Sequence, residues 1–207
     1  MHSSKSILIP TAYLPALDYM SAFLKADNIL IEKQEHYPKQ TYRNRCYIYS
    51  PNGKLMLTIP VKRGNPEHTP VKEVQISYLE SWQKIHWRSL ESAYRSSPYF
   101  EFYEDHFRPF YEKNFNFLVD FNEQMLERIL KSLKVEKSYA YTESYEKQKE
   151  GFYDMRDQFN SKIENTVFQF ERYPQVFENK FGFISNLSII DLLCNEGPNA
   201  ANLLIQE

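Results

Sequence analysis

The sequence predicts an α/β protein: a small mixed sheet with a βαβ-like N-terminal opening and a β-hairpin, followed by a helical middle and C-terminus. Three observations carry this. Two apolar runs too short for helices, Ile7 to Ile9 and Asn28 to Ile31, bracket an amphipathic stretch from Leu17 to Lys25. Pro51-Asn52-Gly53 separates two strand-like segments, Arg45 to Ser50 and Lys54 to Val61. From Leu79 onward the apolar spacing changes to the helical period.

Each element follows from its residues. Pro10 and Pro15 stiffen the connection after the first strand. Strand, loop and helix in that order place the loop at the carboxyl edge of a parallel sheet, where α/β proteins bind ligands. Tyr13 is the notable side chain of that loop, and it could equally pack against the first helix. Asn52 and Gly53 tolerate the positive φ that a tight hairpin needs. Arg63 to Pro70, rich in Gly, Pro and polar residues, reads as a mobile flap before a short strand near Val71 to Ile76.

Leu79, Trp82, His86, Leu90 and Ala93 fall on one side of a helix running to Arg95, with Glu80, Lys84, Arg88, Glu91 and Arg95 opposite. Ser97-Pro98 starts another helix, Pro109 interrupts it, and a longer one runs from Phe117 to Leu133. Tyr139 to Lys149 reads as a polar link. Ser188 caps a helix through Leu192-Leu193-Cys194, and Gly197-Pro198 stops it and starts another. The 207 residues are read as one domain, 7–77 mainly α/β and 78–207 mainly helical.

Composition removes several functional classes. A net charge of -2 supplies no basic footprint for nucleic acid, so none is expected as a partner. Cys46 and Cys194 are far apart, without CxxC or Cys/His ligand spacing, which points to reduced core thiols rather than a disulfide framework or zinc site. The apolar run before Pro10 is too short for a signal peptide or a membrane span, so a cytoplasmic protein with no membrane insertion is expected. No GxSxG, HExxH or GxxxxGK[ST] occurs, and no metal site is expected.

The chemistry-bearing stretch is His36 to Arg45, where aromatic, cationic and amide side chains crowd together almost without aliphatic residues. Such a segment is not expected to supply core; its donors suit a phosphate, carboxylate or carbonyl. As an extended chain it sends Tyr37, Lys39, Thr41, Arg43 and Arg45 to one side and His36, Gln40, Tyr42 and Asn44 to the other, so that the two arginines clamp an anion. Ordinary solvated charges explain Arg43 as readily. Glu32 and Glu35 follow a strand end but lack a second acidic cluster, which favours a surface role. Trp82 and His86 lie one helical turn apart, giving an imidazole beside an indole: a proton relay, or a core histidine satisfied by a backbone carbonyl.

In combination, Tyr13-Leu14-Pro15, Lys39 followed by Tyr42-Arg43-Asn44-Arg45, the hairpin Pro51-Asn52-Gly53 ending in Thr58-Ile59-Pro60-Val61, and Trp82 with His86 resemble the WbqC-like family. The likeness runs from about Ile7 to Phe100, then through the helices to Leu187-Ser188-Ile189-Ile190-Asp191-Leu192-Leu193. It implies association with bacterial surface-polysaccharide (O-antigen) gene clusters, and so modification of an activated sugar or amino sugar. The chain departs from the family pattern in two places. Ile9-Pro10-Thr11-Ala12 stands where His-Gln-Pro precedes the aromatic-Leu-Pro, and Glu32-Lys33-Gln34-Glu35 stands where paired aspartates follow the second strand.

The expectation is therefore a transferase-like enzyme of this family whose site leans on His36 and His86 for proton chemistry. Tyr13, Lys39, Tyr42, Arg43, Asn44, Arg45 and Trp82 hold an anionic or sugar ligand, and the cofactor is left open. The competing expectation is a non-catalytic assembly partner of polysaccharide enzymes, using aromatics around Tyr139 to Tyr145.

Overall fold

A computed structural model describes residues 5–62, 68–159 and 171–206. The opening is βαβ: β1 (Ser6–Pro10), α1 (Leu17–Lys25) and β2 (Asn28–Glu32), with β1 and β2 parallel from Ser6↔Asn28 to Pro10↔Glu32. Ile7, Leu8 and Ile9 are all buried, as a central parallel strand covered on both faces requires. Ala16, at the N-cap of α1, has no side chain to cap it, and the Asp18 and Tyr19 amides donate instead to Asn186 Oδ1 at 2.9 Å and Asp18 Oδ1 at 2.7 Å. The chain near residue 188 completes the cap, Leu17 N donating to Leu187 O at 3.1 Å, and Ser188 Oγ ties down the loop before the helix by donating to Leu14 O at 2.8 Å.

Two short strands complete this sheet. β5 (Ala140–Tyr141) pairs with β2 and β6 (Tyr153–Asp154) with β1, both parallel, giving the order β5-β2-β1-β6. Numbered by their appearance in the sheet, the strands run third, second, first, fourth, the order found at the switch point of doubly wound sheets. The antiparallel hairpin, β3 (Arg45–Ser50) and β4 (Gly53–Thr58), forms a separate two-stranded sheet. Gly53 at φ 94 closes its turn, and Ser50 Oγ receives Asn52 N at 3.2 Å.

The helical part comprises α2 (Trp82–Tyr94), α3 (Phe100–Phe107), α4 (Leu118–Leu133), α5 (Glu178–Phe181), α6 (Ile189–Glu196) and α7 (Ala200–Ile205). Pro109 sits in a 3-10 turn after α3, and Ser188 Oγ accepts from Ile190 N to cap α6. One hydrophobic core runs from Ile7 to Leu204 and takes in both cysteines, which are buried free thiols. No helix among the described residues is long and apolar enough to cross a membrane.

Several expectations are corrected. Val71 to Ile76 is not a strand but a 3-10 turn, Val71–Glu73, followed by single bridges Gln75↔Phe117 and Val61↔Ile76, because Pro70 sets the turn. Leu79 is 98% exposed, since the helix begins only at Trp82 and residue 79 is not on its buried stripe. The polar link after α4 contains β5. Of the flap expected over Arg63 to Pro70, residues 63–67 lie outside the described residues.

Candidate functional site

At the carboxyl edge of the parallel sheet every strand delivers a polar side chain: Thr11 just past β1, Glu32 ending β2, Thr142 just past β5 and Asp154 ending β6. Glu32 is fully buried. Its Oε1 accepts from Thr142 Oγ1 and the Gln34 amide, both at 2.7 Å, and its Oε2 receives Arg156 Nη1 at 3.1 Å. Arg156 also donates to Asp154 through Nε at 3.0 Å and Nη2 at 2.5 Å, and to the carbonyls of Glu146 and Lys147. A guanidinium with five donors can satisfy this many acceptors, which is why Arg occupies the centre.

Arg43 joins the same cluster. Its Nε and Nη2 donate to Glu35 Oε1 at 2.8 and 2.6 Å, and Nη2 reaches Arg156 O at 3.4 Å. Asn122 of α4 ties the cluster to β1, donating to Thr11 Oγ1 at 3.2 Å and Arg43 O at 2.8 Å. Glu32, Glu35 and Asp154 thus face the guanidinium groups of Arg43 and Arg156. Burial raises the Glu35 carboxyl above its ordinary value against the pull of Arg43. For Asp154 burial pushes upward too, yet the Arg156 bonds win and hold it below its ordinary value. A cavity of about 210 Å3 lined by Gln34, Glu35, His36 and Tyr145 lies beside the cluster, with the Tyr145 ring centroid 5.2 Å from the Arg156 guanidinium carbon.

A second cluster gathers Tyr13, Trp82 and His86. The Tyr13 hydroxyl lies 2.9 Å from His86 Nδ1 and 2.9 Å from the Tyr111 hydroxyl, with Trp82 edge-on to His86 at 5.1 Å. Burial lowers the His86 pKa to about 4, opposed by a hydrogen bond to the Thr58 backbone. A neutral imidazole donating to that backbone uses its other nitrogen as acceptor. Tyr13 then donates to His86, and Tyr111 to Tyr13. Tyr13, Trp82, His86 and Tyr111 are all buried.

The segment from His36 to Arg45 does not extend. It is a run of bends and turns with Gln40 at φ 62, so the predicted alternation of sides is lost. Nor is it coreless: Tyr37 and Tyr42 join the core, and Arg43 is among the largest fully buried side chains. The Arg43 guanidinium goes inside because Glu35 and the Arg156 carbonyl receive it, and the tyrosine rings contribute large apolar bodies to the core. Tyr13 N donates to Tyr42 O at 2.9 Å. Asn44 splices the loop to the end of the hairpin, its side chain donating to Ile59 O and its carbonyl accepting Ile59 N, each at 2.8 Å. Arg45 lies along the hairpin toward Met56 while Arg43 faces Glu35, so the two guanidinium groups point to different partners. Lys39 is exposed, and so is His36, whose ring meets His68 at 6.0 Å.

The surface role expected for Glu32 and Glu35 is overturned by their burial and bonding. Thr142, Asp154, Arg156, Tyr111 and Asn122 were not foreseen. The β-forming runs Tyr139-Ala140-Tyr141-Thr142 and Phe152-Tyr153-Asp154-Met155 carry the signal for the strand ends, but each strand is only two residues long. Among the described residues no group of His, Cys, Asp and Glu side chains is arranged to hold a metal ion.

Comparison with known proteins adds the following. The WbqC-like protein family matches residues 11–162 and 146–203. The chain is 25% identical, over 97% of its own length and 97% of the other's, to uncharacterized protein Rv1507c of Mycobacterium tuberculosis. No solved structure matches it significantly.

Proposed function

This chain belongs to the WbqC-like protein family, and on that premise we propose that it is a transferase-like enzyme of bacterial surface-polysaccharide biosynthesis acting on a nucleotide-activated or amino sugar. The observation that supports this most is the convergence of all four parallel strand ends on one buried charge cluster beside a cavity. The desolvation cost of buried charge is offset here only by close pairing, which fixes each group in place, and strand carboxyl ends are where α/β folds hold ligands.

In this reading Arg43 positions Glu35, whose carboxylate takes a hydroxyl or ammonium group of the sugar, while the Tyr145 ring provides a flat wall for the pyranose. His36 and Lys39, exposed on the loop that follows, take the anionic part of the ligand. Tyr13, Trp82 and His86 act from behind, fixing the loop after β1 through Tyr111 and Tyr42. The assembly-protein alternative is weaker, because Tyr139 and Tyr141 pack against the core and only Tyr145 of that set is exposed.

Calorimetric titration of the full chain with a panel of nucleotide sugars and free amino sugars tests this. At least one compound should bind, and Tyr145→Ala and His36→Ala, both at the surface, should weaken it about tenfold or more with an unchanged melting temperature. No binding across the panel, or equal binding by both variants, overturns the assignment.

A further inference from the structure

A second cavity, about 530 Å3, opens at the other end of the parallel sheet, beside its amino edge. Its walls are Ile7 of β1, Ala22 of α1, and Tyr153 and Met155 at β6. The space exists because Ala22 and Ala26, one turn apart, present only methyl groups where α1 runs past β1. Lys5 and Lys25 also line it, and among the described residues no carboxylate does. Asp27 accepts the backbone amide of Lys5 at 2.8 Å. Lys25 spends one of three ammonium donors on Gln206 O at 2.7 Å, so the same bond that fixes the side chain leaves donors for a ligand.

We propose that this cavity binds an anionic amphiphile, a hydrocarbon body carrying a carboxylate or phosphate head. The aliphatic walls and the exposed ring of Tyr153 take the hydrocarbon, and Lys25 with Lys5 takes the head. An apolar pocket with a few convergent polar groups at its rim is the general form of a small-molecule site. This site is separate from the charged cluster, since β1 spans the distance between them: Ile7 lines the cavity and Thr11 joins the cluster. Its occupancy does not depend on the transferase reading.

The test is displacement of anilinonaphthalene sulfonate fluorescence from the full chain by dodecyl phosphate or dodecanoate below their micelle concentrations. Both should compete, while dodecanol and inorganic phosphate should compete about tenfold or more weakly, because each lacks half of what the cavity recognises. Ala22→Phe, which fills the floor, and Lys25→Glu should each weaken dodecyl phosphate by about tenfold or more. Tyr153→Ala and Lys5→Glu, at exposed positions, repeat the test should the filled variant not fold. Competition by dodecanol equal to that of dodecyl phosphate, or affinity unchanged in all the variants, overturns the proposal. So does sedimentation with phosphatidic acid vesicles in the absence of monomer binding, which assigns the lysines to a lipid surface.

Discussion

Glu32 and Arg156, separated by 124 positions in the chain, meet at 3.1 Å where β2 and β6 end, and both are buried. The pair joins the N-terminal βαβ unit to a strand far along the chain, so it secures the sheet as well as the site.

Removing the guanidinium strands a buried carboxylate. Arg156→Ala should therefore lower unfolding free energy by about 3–5 kcal/mol, and Asp154 should return toward its ordinary pKa. Urea denaturation at neutral pH measures the loss; a change under about 1 kcal/mol would mean that water already reaches Glu32.

Tyr13→Phe keeps the ring and deletes the hydroxyl between His86 and Tyr111. Two buried polar groups lose their partner, at a cost of about 1–3 kcal/mol. Tyr111→Phe removes only a donor to Tyr13 and should cost less. The ordering of the two denaturation midpoints checks the direction assigned to this hydrogen-bond chain.

Stability against pH should show two opposed slopes. His86 is held near pKa 4 rather than 6.5, so the unfolded chain binds more protons and acidification across that window removes stability, on the order of 3 kcal/mol. Asp191 is buried and raised to about 6 from 3.8, which makes the folded chain the better proton binder and adds stability as pH falls. Glu35, also raised, has the same sign. His86→Asn should consequently gain stability between pH 6.5 and 4 relative to neutral pH, and Asp191→Asn should lose it. Parallel pH profiles for the two variants would refute this division.

Ser188→Ala loses both the α6 cap and the bond to Leu14 O, which helps hold Leu14 at φ 38. A cap alone contributes about 1 kcal/mol, so the total should exceed that. Thermal melts of Ser188→Ala and Ser188→Asn separate the contributions, since Asn can still cap.

The legible parts of the fold were those whose signal is local and long enough to repeat. The residues Leu17 to Lys25 and the hairpin around Pro51-Asn52-Gly53 emerge at the expected positions because periodicity and turn chemistry act over neighbouring residues. β5 and β6 escaped because two residues cannot show a period, and only pairing to β2 and β1 makes them strands. Tyr13, Trp82 and His86 were grouped by helical spacing and family likeness, and they do touch; Tyr111 completes the group from a turn that no spacing rule connects to them. Glu32 and Glu35 look like surface residues in the sequence because nothing in it pairs them with Arg156 and Arg43, the partners that bury them.

By itself, then, the sequence determined the βαβ opening, the hairpin, the buried stripe of α2 and the family, all of which rest on short-range patterns of size, polarity and backbone freedom. Tertiary structure alone decided which charges go inside. Whether an arginine or glutamate is solvated or buried depends on an opposite charge arriving within hydrogen-bond reach: for Glu32 that charge is Arg156, brought in past the end of β6, and for Glu35 it is Arg43, turned inward by the folded loop before β3.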